Sequence, residues 1–149
     1  SCTAFPTNSG SGSIEAFESL APLLVWKKEF RTDSGGAGQF MGGLGQEVEI
    51  EITAEDDVRL SMMSDRQKYA AKGLLGGLEG AKVEIDKSDG TKPHPKARSV
   101  LAPGDKLTLR FGGGGGYGPP DARDPDAVQN DLRNGYITAE YAKRHYGIE

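Results

Sequence analysis

The chain has one cysteine, Cys2, and a lone cysteine excludes an intrachain disulfide framework. It has no long hydrophobic run. No segment approaches the ~18 consecutive apolar residues that crossing a bilayer requires, so no membrane partner is expected. Positive charge is not concentrated either: 18 lysines and arginines face 22 acidic residues, a net charge of −4. Without a basic stripe to neutralise phosphates, nucleic acid is not an expected partner. Residues 1–5, Ser-Cys-Thr-Ala-Phe, bring neither a charged start nor an apolar stretch. No secretory signal is therefore expected, and the cytoplasm is the default compartment. The chain starts at Ser1 rather than at Met, as a trimmed, processed or excised piece would.

Apolar residues are also scarce, at 36% of 149, which leaves room for one domain and one core rather than two. The excess is in glycine. Its 22 residues are about twice the usual ~7% share. Such a chain is expected to be rich in turns and loops and to complete much of its burial against other protein.

Residues 1–13 are rich in Ser, Gly, Thr and Pro and read as an extended or looped entry. Ser13 is placed to cap a short helix from Ile14, with Glu15 in its first turn, and Pro22 stops it. Residues 23–31 (LLVWKKEFR) read as a strand, and 33–45 (DSGGAGQFMGGLG) as a loop. The clearest signal is 47–53 (EVEIEIT), where glutamates alternate with Val48, Ile50 and Ile52; this is a half-buried strand with one wet face. Residues 58–63 (VRLSMM) form a further strand, and 47–63 together suggest a hairpin. The glycines of 73–80 argue against a long helix. Strands are expected at 81–85 and 106–111, the first turning at Ser88-Asp89-Gly90 and the second preceded by Pro103-Gly104-Asp105; 91–97 is irregular around Pro93, His94 and Pro95. The run 112–118 is either a flexible linker or extended backbone packed closely against something. Asp124-Pro125 opens a helix to about Arg133, and Thr138 caps a second that closes at Gly147. The expected fold is mostly β within the α+β class: a sheet or barrel-like body over 1–120, with glycine-rich extended segments, and a tail of two short helices over 121–149, all in one domain.

Eight motifs occur in order: Thr7-Asn8, Glu15-Ala16-Phe17-Glu18, the glycine loop 33–45, Ser64-Asp65-Arg66, Gly73-Leu74-Leu75-Gly76-Gly77, Pro103-Gly104-Asp105, the run 113–118, and Tyr146-Gly147. In this order they resemble the C-terminal region of the hydantoinase B/oxoprolinase family across essentially the whole chain. The chain departs from the family pattern at Met41, where the family loop carries arginine, at Phe5, where oxoprolinase-like members place histidine, and at Pro119-Pro120, where Asp-Pro is usual. The resemblance implies part of an ATP-dependent hydrolase of cyclic amides, in which a hydantoinase A-like ATPase subunit activates the substrate and a hydantoinase B-type subunit completes ring opening. It also implies that ATP and a divalent metal serve the whole complex, that the metal ligands lie in an upstream part of the B-type subunit, and that this chain binds no cofactor. A ketone carboxylase of the same family is the rival within the enzymes. A noncatalytic assembly module is the rival outside them.

The residue types agree with a chain that is not catalytic by itself. His94 and His145 have no ligand partner at a fixed spacing, and Cys2 has no neighbouring base, so neither a metal ligand nor a catalytic residue is assigned. The glycine loop is the best candidate for contact with a substrate or a partner. Glycines let backbone N–H groups approach an anion, although the loop lacks the Gly-Lys-Ser/Thr ending of a phosphate-binding loop. A tight structural loop at an interface is the plainer reading. The candidates are Asp33, Gly35, Gly36, Gly38, Gly42 and Gly43 of this loop, with Asn8, Glu15 and Arg66. Glu15 and Glu18 share one helix face, either as paired carboxylates or as a solvated surface.

Overall fold

The computed structural model describes residues 12–148. A short helix α1 (Ile14–Leu20) leads into strands β1 (Leu23–Phe30) and β2 (Gln46–Ile52). Strands β3 (Val58–Ser61), β4 (Glu84–Lys87), β5 (Arg98–Leu101) and β6 (Lys106–Arg110) follow. A 3-10 turn at Pro120–Ala122 then leads into helices α2 (Pro125–Arg133) and α3 (Ala139–Tyr146). Four strands form one antiparallel sheet in the order β1-β2-β6-β4, and β3 pairs with β5 in a separate two-stranded sheet. The fold is mostly β in the α+β class. The larger sheet is open, with β1 and β4 at its edges, rather than barrel-like.

The register explains the alternation in β2. Ile50 faces Leu107, Val48 faces Leu109, and Leu109 faces Ile85. Cross-strand partners project from the same side, so these residues make one apolar face. On it Ile52, Ile85 and Leu107 are buried, each contributing about 1.5–3 kcal/mol relative to exposure. The glutamates occupy the opposite face and are only half-exposed, because cations line up between them. Glu47 pairs with Lys27 at 3.1 Å and Arg110 at 3.3 Å, Arg110 reaches Asp86 at 2.7 Å, and Lys106 lies 3.5 Å from Glu51. A bulge between Val25 and Lys27 brings Lys27 onto this face beside Trp26, whose Nε1 donates to Glu51 at 2.6 Å under the Lys106 ammonium.

The expected hairpin over 47–63 does not form. Both edges of β2 are already taken by β1 and β6, so the next strand, β3, pairs with β5 instead. Strand β5 itself falls just after the region read as irregular. Strand β4 starts at Glu84 rather than at Ala81 because the N–H groups of Ala81 and Val83 bond the carbonyls of Ser34 and Arg66. Ser13 stands at the N-cap of α1 without capping it through its side chain; its hydroxyl donates to Glu15 instead. The tail matches expectation closely. The Asp124 side chain accepts from Asp126 N–H, the Thr138 side chain accepts from Tyr141 N–H, and Gly147 closes α3 in the left-handed conformation. Val128, Ile137 and Ala142 form the buried centre of this tail, with Met41 of the glycine loop packed against it.

Candidate functional site

The glycine-rich segments come together as a layer of backbone. Residues 34–45, 72–81 and 112–118 lie against one another and bond crosswise: Gly36 N–H to Gly114 O at 2.9 Å, Leu78 N–H to Ala37 O at 2.7 Å, and Gly116 N–H to Leu78 O at 2.9 Å. Phe40 and Tyr117 exchange both of their backbone bonds at 2.9 Å. Main chains approach this closely only without side chains between them. A Cβ on Gly36 would strike the Leu78 carbonyl, and one on Gly116 the Ala37 carbonyl. The run 112–118 is therefore packed backbone, the second of the two alternatives its sequence allowed. Ser34, fully buried, locks the layer: its hydroxyl donates to Arg31 O and accepts from Gly45 N–H at 2.9 Å.

The helical tail clamps the layer from one side. Asp33, in the left-handed conformation at φ 59°, accepts from Thr138 N–H at 2.7 Å and from the Thr138 hydroxyl at 2.9 Å. The Tyr141 hydroxyl donates to Gly35 O at 2.6 Å, and burial pushes that phenol up to about 12. It is therefore a fixed donor at neutral pH. Between tail and loop lies an open cleft of about 450 Å³, walled by Phe30, Phe40, Met41, Leu44 and Tyr136. At its base Arg123 and Asp131, both largely buried, form an ion pair. The Arg123 guanidinium also donates to Gln39 O at 3.2 Å and lies 5.6 Å from the Tyr146 ring centre. Its buried Nε has no hydrogen-bond partner among the described residues. The cleft thus has aromatic and aliphatic walls and a compensated charge at its floor, which suits an uncharged or apolar group.

With this geometry the likeness to known proteins becomes specific. The family model for hydantoinase B/oxoprolinase matches residues 1–120. The chain belongs to the hydantoinase B/oxoprolinase family. It is 32% identical over 145 residues to the beta chain of the caprolactamase of Pseudomonas jessenii, covering 93% of this chain and 25% of that one. It is 32% identical over 147 residues to the B component of a putative D-/L-hydantoinase of a Pseudomonas species, covering 95% of this chain and 24% of that component. The crystal structure of the ATP-dependent caprolactamase from P. jessenii superposes with a TM-score of 0.77 at 27% identity, over 93% of this chain and 25% of that one. An acetone carboxylase structure shares the fold, with a TM-score of 0.69 at 23% identity over 93% of this chain and 23% of that one. The chain thus spans about a quarter of the length of these relatives.

Of the hydantoinase B motif residues singled out in the sequence, Asp33, Gly35, Gly36, Gly38 and Gly42 are gathered in the layer. Gly43 sits at its rim, in open space on the cleft wall. The N–H groups of Gly36 and Gly42 are spent on bonds within the layer, which is the arrangement of a tight structural loop more than of an anion cradle. Arg66 is not at the cleft. It holds a left-handed backbone at φ 62°, and its carbonyl anchors Val83, while neighbouring Asp65 pairs with Lys96 at 2.6 Å. Glu15 is exposed on α1, its carboxyl held low by the Ser13 hydroxyl, and Glu18 accepts from Val25 N–H at 2.7 Å. The two glutamates therefore serve local anchoring, away from the glycine layer. Asn8, Cys2, Phe5 and Thr7 lie outside the described residues.

Sequence reading missed Arg123, Asp131 and Tyr136. Asp131 carried a signal, since it lies three residues after Val128 and so on the apolar face of α2, where a carboxylate requires a partner. Among the described residues no group of three or more His, Cys, Asp or Glu is placed to hold a metal ion. The donors of the described residues thus do not fit the divalent metal that the resemblance implied for the complex. His94 Nδ1 accepts from Lys96 N–H at 3.2 Å, and the His145 ring packs tilted against Tyr141 with ring centres 4.4 Å apart. Burial holds His145 below its usual range, helped by Arg144 and opposed by Asp33. No helix among the described residues is long and apolar enough to cross a membrane.

Proposed function

We propose that this chain is part of a hydantoinase B-type subunit of an ATP-dependent enzyme that opens cyclic amides, and that it supports the active site rather than supplying its reactive groups. The carrying observation is the likeness to the caprolactamase beta chain over 93% of this chain. The use of the motif side chains supports the scaffolding role. Asp33 holds the tail, Ser34 holds the layer, and the glycines make room for neighbouring backbone. A hydantoinase A-like ATPase subunit would activate the substrate. The upstream part of the B-type subunit would hold the divalent metal, and the 450 Å³ cleft would face it as an apolar wall.

The complete complex carrying this chain should hydrolyse caprolactam, a hydantoin or 5-oxoproline when ATP is supplied, read as ring-opened product by mass spectrometry. ATP-dependent fixation of bicarbonate onto a ketone, without hydrolysis of any cyclic amide, would overturn the assignment in favour of a carboxylase. A chain that folds as a stable monomer and finds no larger partner would favour a stand-alone assembly module.

A further inference from the structure

The glycine layer carries a row of apolar side chains on its outer side. Phe40 bridges Tyr117 in antiparallel fashion, and Leu74 bridges the same Tyr117 in parallel. Bridged partners project from one side of the backbone. Phe40 is 62% exposed, Tyr117 48% and Leu74 65%, and Leu75 beside them is 72% exposed. Together they uncover on the order of 400 Å² of apolar surface, the size of the largest patch on an ordinary monomer, which is often functional.

Leu75 sharpens the point. It occupies the first central position of a tight turn, at φ 49° with Gly76 at φ 93°, closed by Gly77 N–H to Leu74 O at 3.0 Å. Both central residues have positive φ, as in a type I′ turn, where Asn, Asp or Gly is the favoured occupant. A branched apolar side chain there is strained and faces solvent. No hydrogen bond or ring contact among the described residues rewards it, and it stays 72% exposed there. The platform is also rigid, because Leu74 and Tyr117 are bonded into the close-packed backbone on both sides.

We infer that the Phe40–Tyr117–Leu74–Leu75 surface is a docking face, covered by the remaining polypeptide of a hydantoinase B-type subunit. This rests on the reading that the chain works within such a subunit. The occupant follows from length: this fold accounts for 25% of the caprolactamase chain that it superposes on, and about three quarters of that chain is available to cover an apolar face. A surface of two rings and two leucines without a charged side chain among them calls for an apolar complement rather than a polar ligand.

The test compares labelling of single cysteines in two samples, the 149-residue chain and the assembled hydantoinase B-type subunit that carries it. In a Cys2→Ser background, the Leu75→Cys variant should react quickly with a maleimide in the chain alone and at least tenfold more slowly in the subunit. Phe40→Cys reads the same face should the turn variant fail to fold. Equal rates in the two samples would overturn the proposal. So would protection in the chain alone that rises with its concentration, which would assign the face to a second copy. Protection in a subunit that opens no cyclic amide would leave the docking face standing and remove only the catalytic reading.

Discussion

Asp33 and Thr138, 105 residues apart in sequence, hold each other by two hydrogen bonds to one carboxylate. The pair caps α3, fixes Asp33 in its left-handed conformation and ties the glycine loop to the helical tail. Replacing Asp33 with alanine should therefore cost more than a cap alone. The loss should be about 2 kcal/mol in urea unfolding, whereas Asp33→Asn, which tolerates positive φ and keeps a carbonyl acceptor, should cost less than about 1 kcal/mol.

The glycines of the layer should not be equivalent. Gly36→Ala puts a methyl into the Leu78 carbonyl and Gly116→Ala puts one into the Ala37 carbonyl, and backbone on the far side cannot rotate away. Each should cost about 3 kcal/mol or prevent folding. Gly43→Ala, with open space around it, should stay within about 0.5 kcal/mol of the parent. Comparable losses at all three positions would contradict the close-packed layer.

The ion pair at the cleft floor should behave as a buried one. Asp131→Leu leaves the Arg123 guanidinium with only its bond to Gln39 O, and should cost about 3 kcal/mol. The double replacement Arg123→Met with Asp131→Leu removes both charges and should recover much of that loss. A double-mutant cycle in denaturant measures the difference; strictly additive losses would mean that the two groups do not depend on each other.

Alkaline pH should report on Tyr141. Its hydroxyl is pushed up to about 12, first by burial and then by the neighbouring Tyr146 and Asp33. The folded state thus keeps a proton that the unfolded chain releases near its ordinary value of 10.0. That contribution is complete below pH 10 and is lost as pH rises towards about 12. The slope is at most about 1.4 kcal/mol per pH unit, reduced because the ring is only half-buried and water still reaches it. Tyr141→Phe should flatten the decline of the denaturation midpoint across this range.

The local elements were readable where one physical rule dominated. Alternation placed β2 and β6, the Asp124-Pro125 and Thr138 signals placed both tail helices, and the density of glycine excluded a long helix over 73–80. Pairing was less readable. The hairpin expected over 47–63 lost to β1 and β6, which bracket β2 from far away in sequence. The candidate site was half visible. The loop glycines were found, but Arg123, Asp131 and Tyr136 reach the cleft from a tail whose sequence reads as a plain capped helical hairpin.

Composition and order of residues alone decided the family, the β-rich class, the capped tail and the excess of glycine, because each is carried by residue types, by the order of motifs or by neighbours a few positions apart. Only the tertiary structure decided what the glycines are for. Whether a bare backbone swings free, cradles an anion or lies against another backbone depends on which distant segment arrives beside it, and here 34–45, 72–81 and 112–118 arrive beside one another.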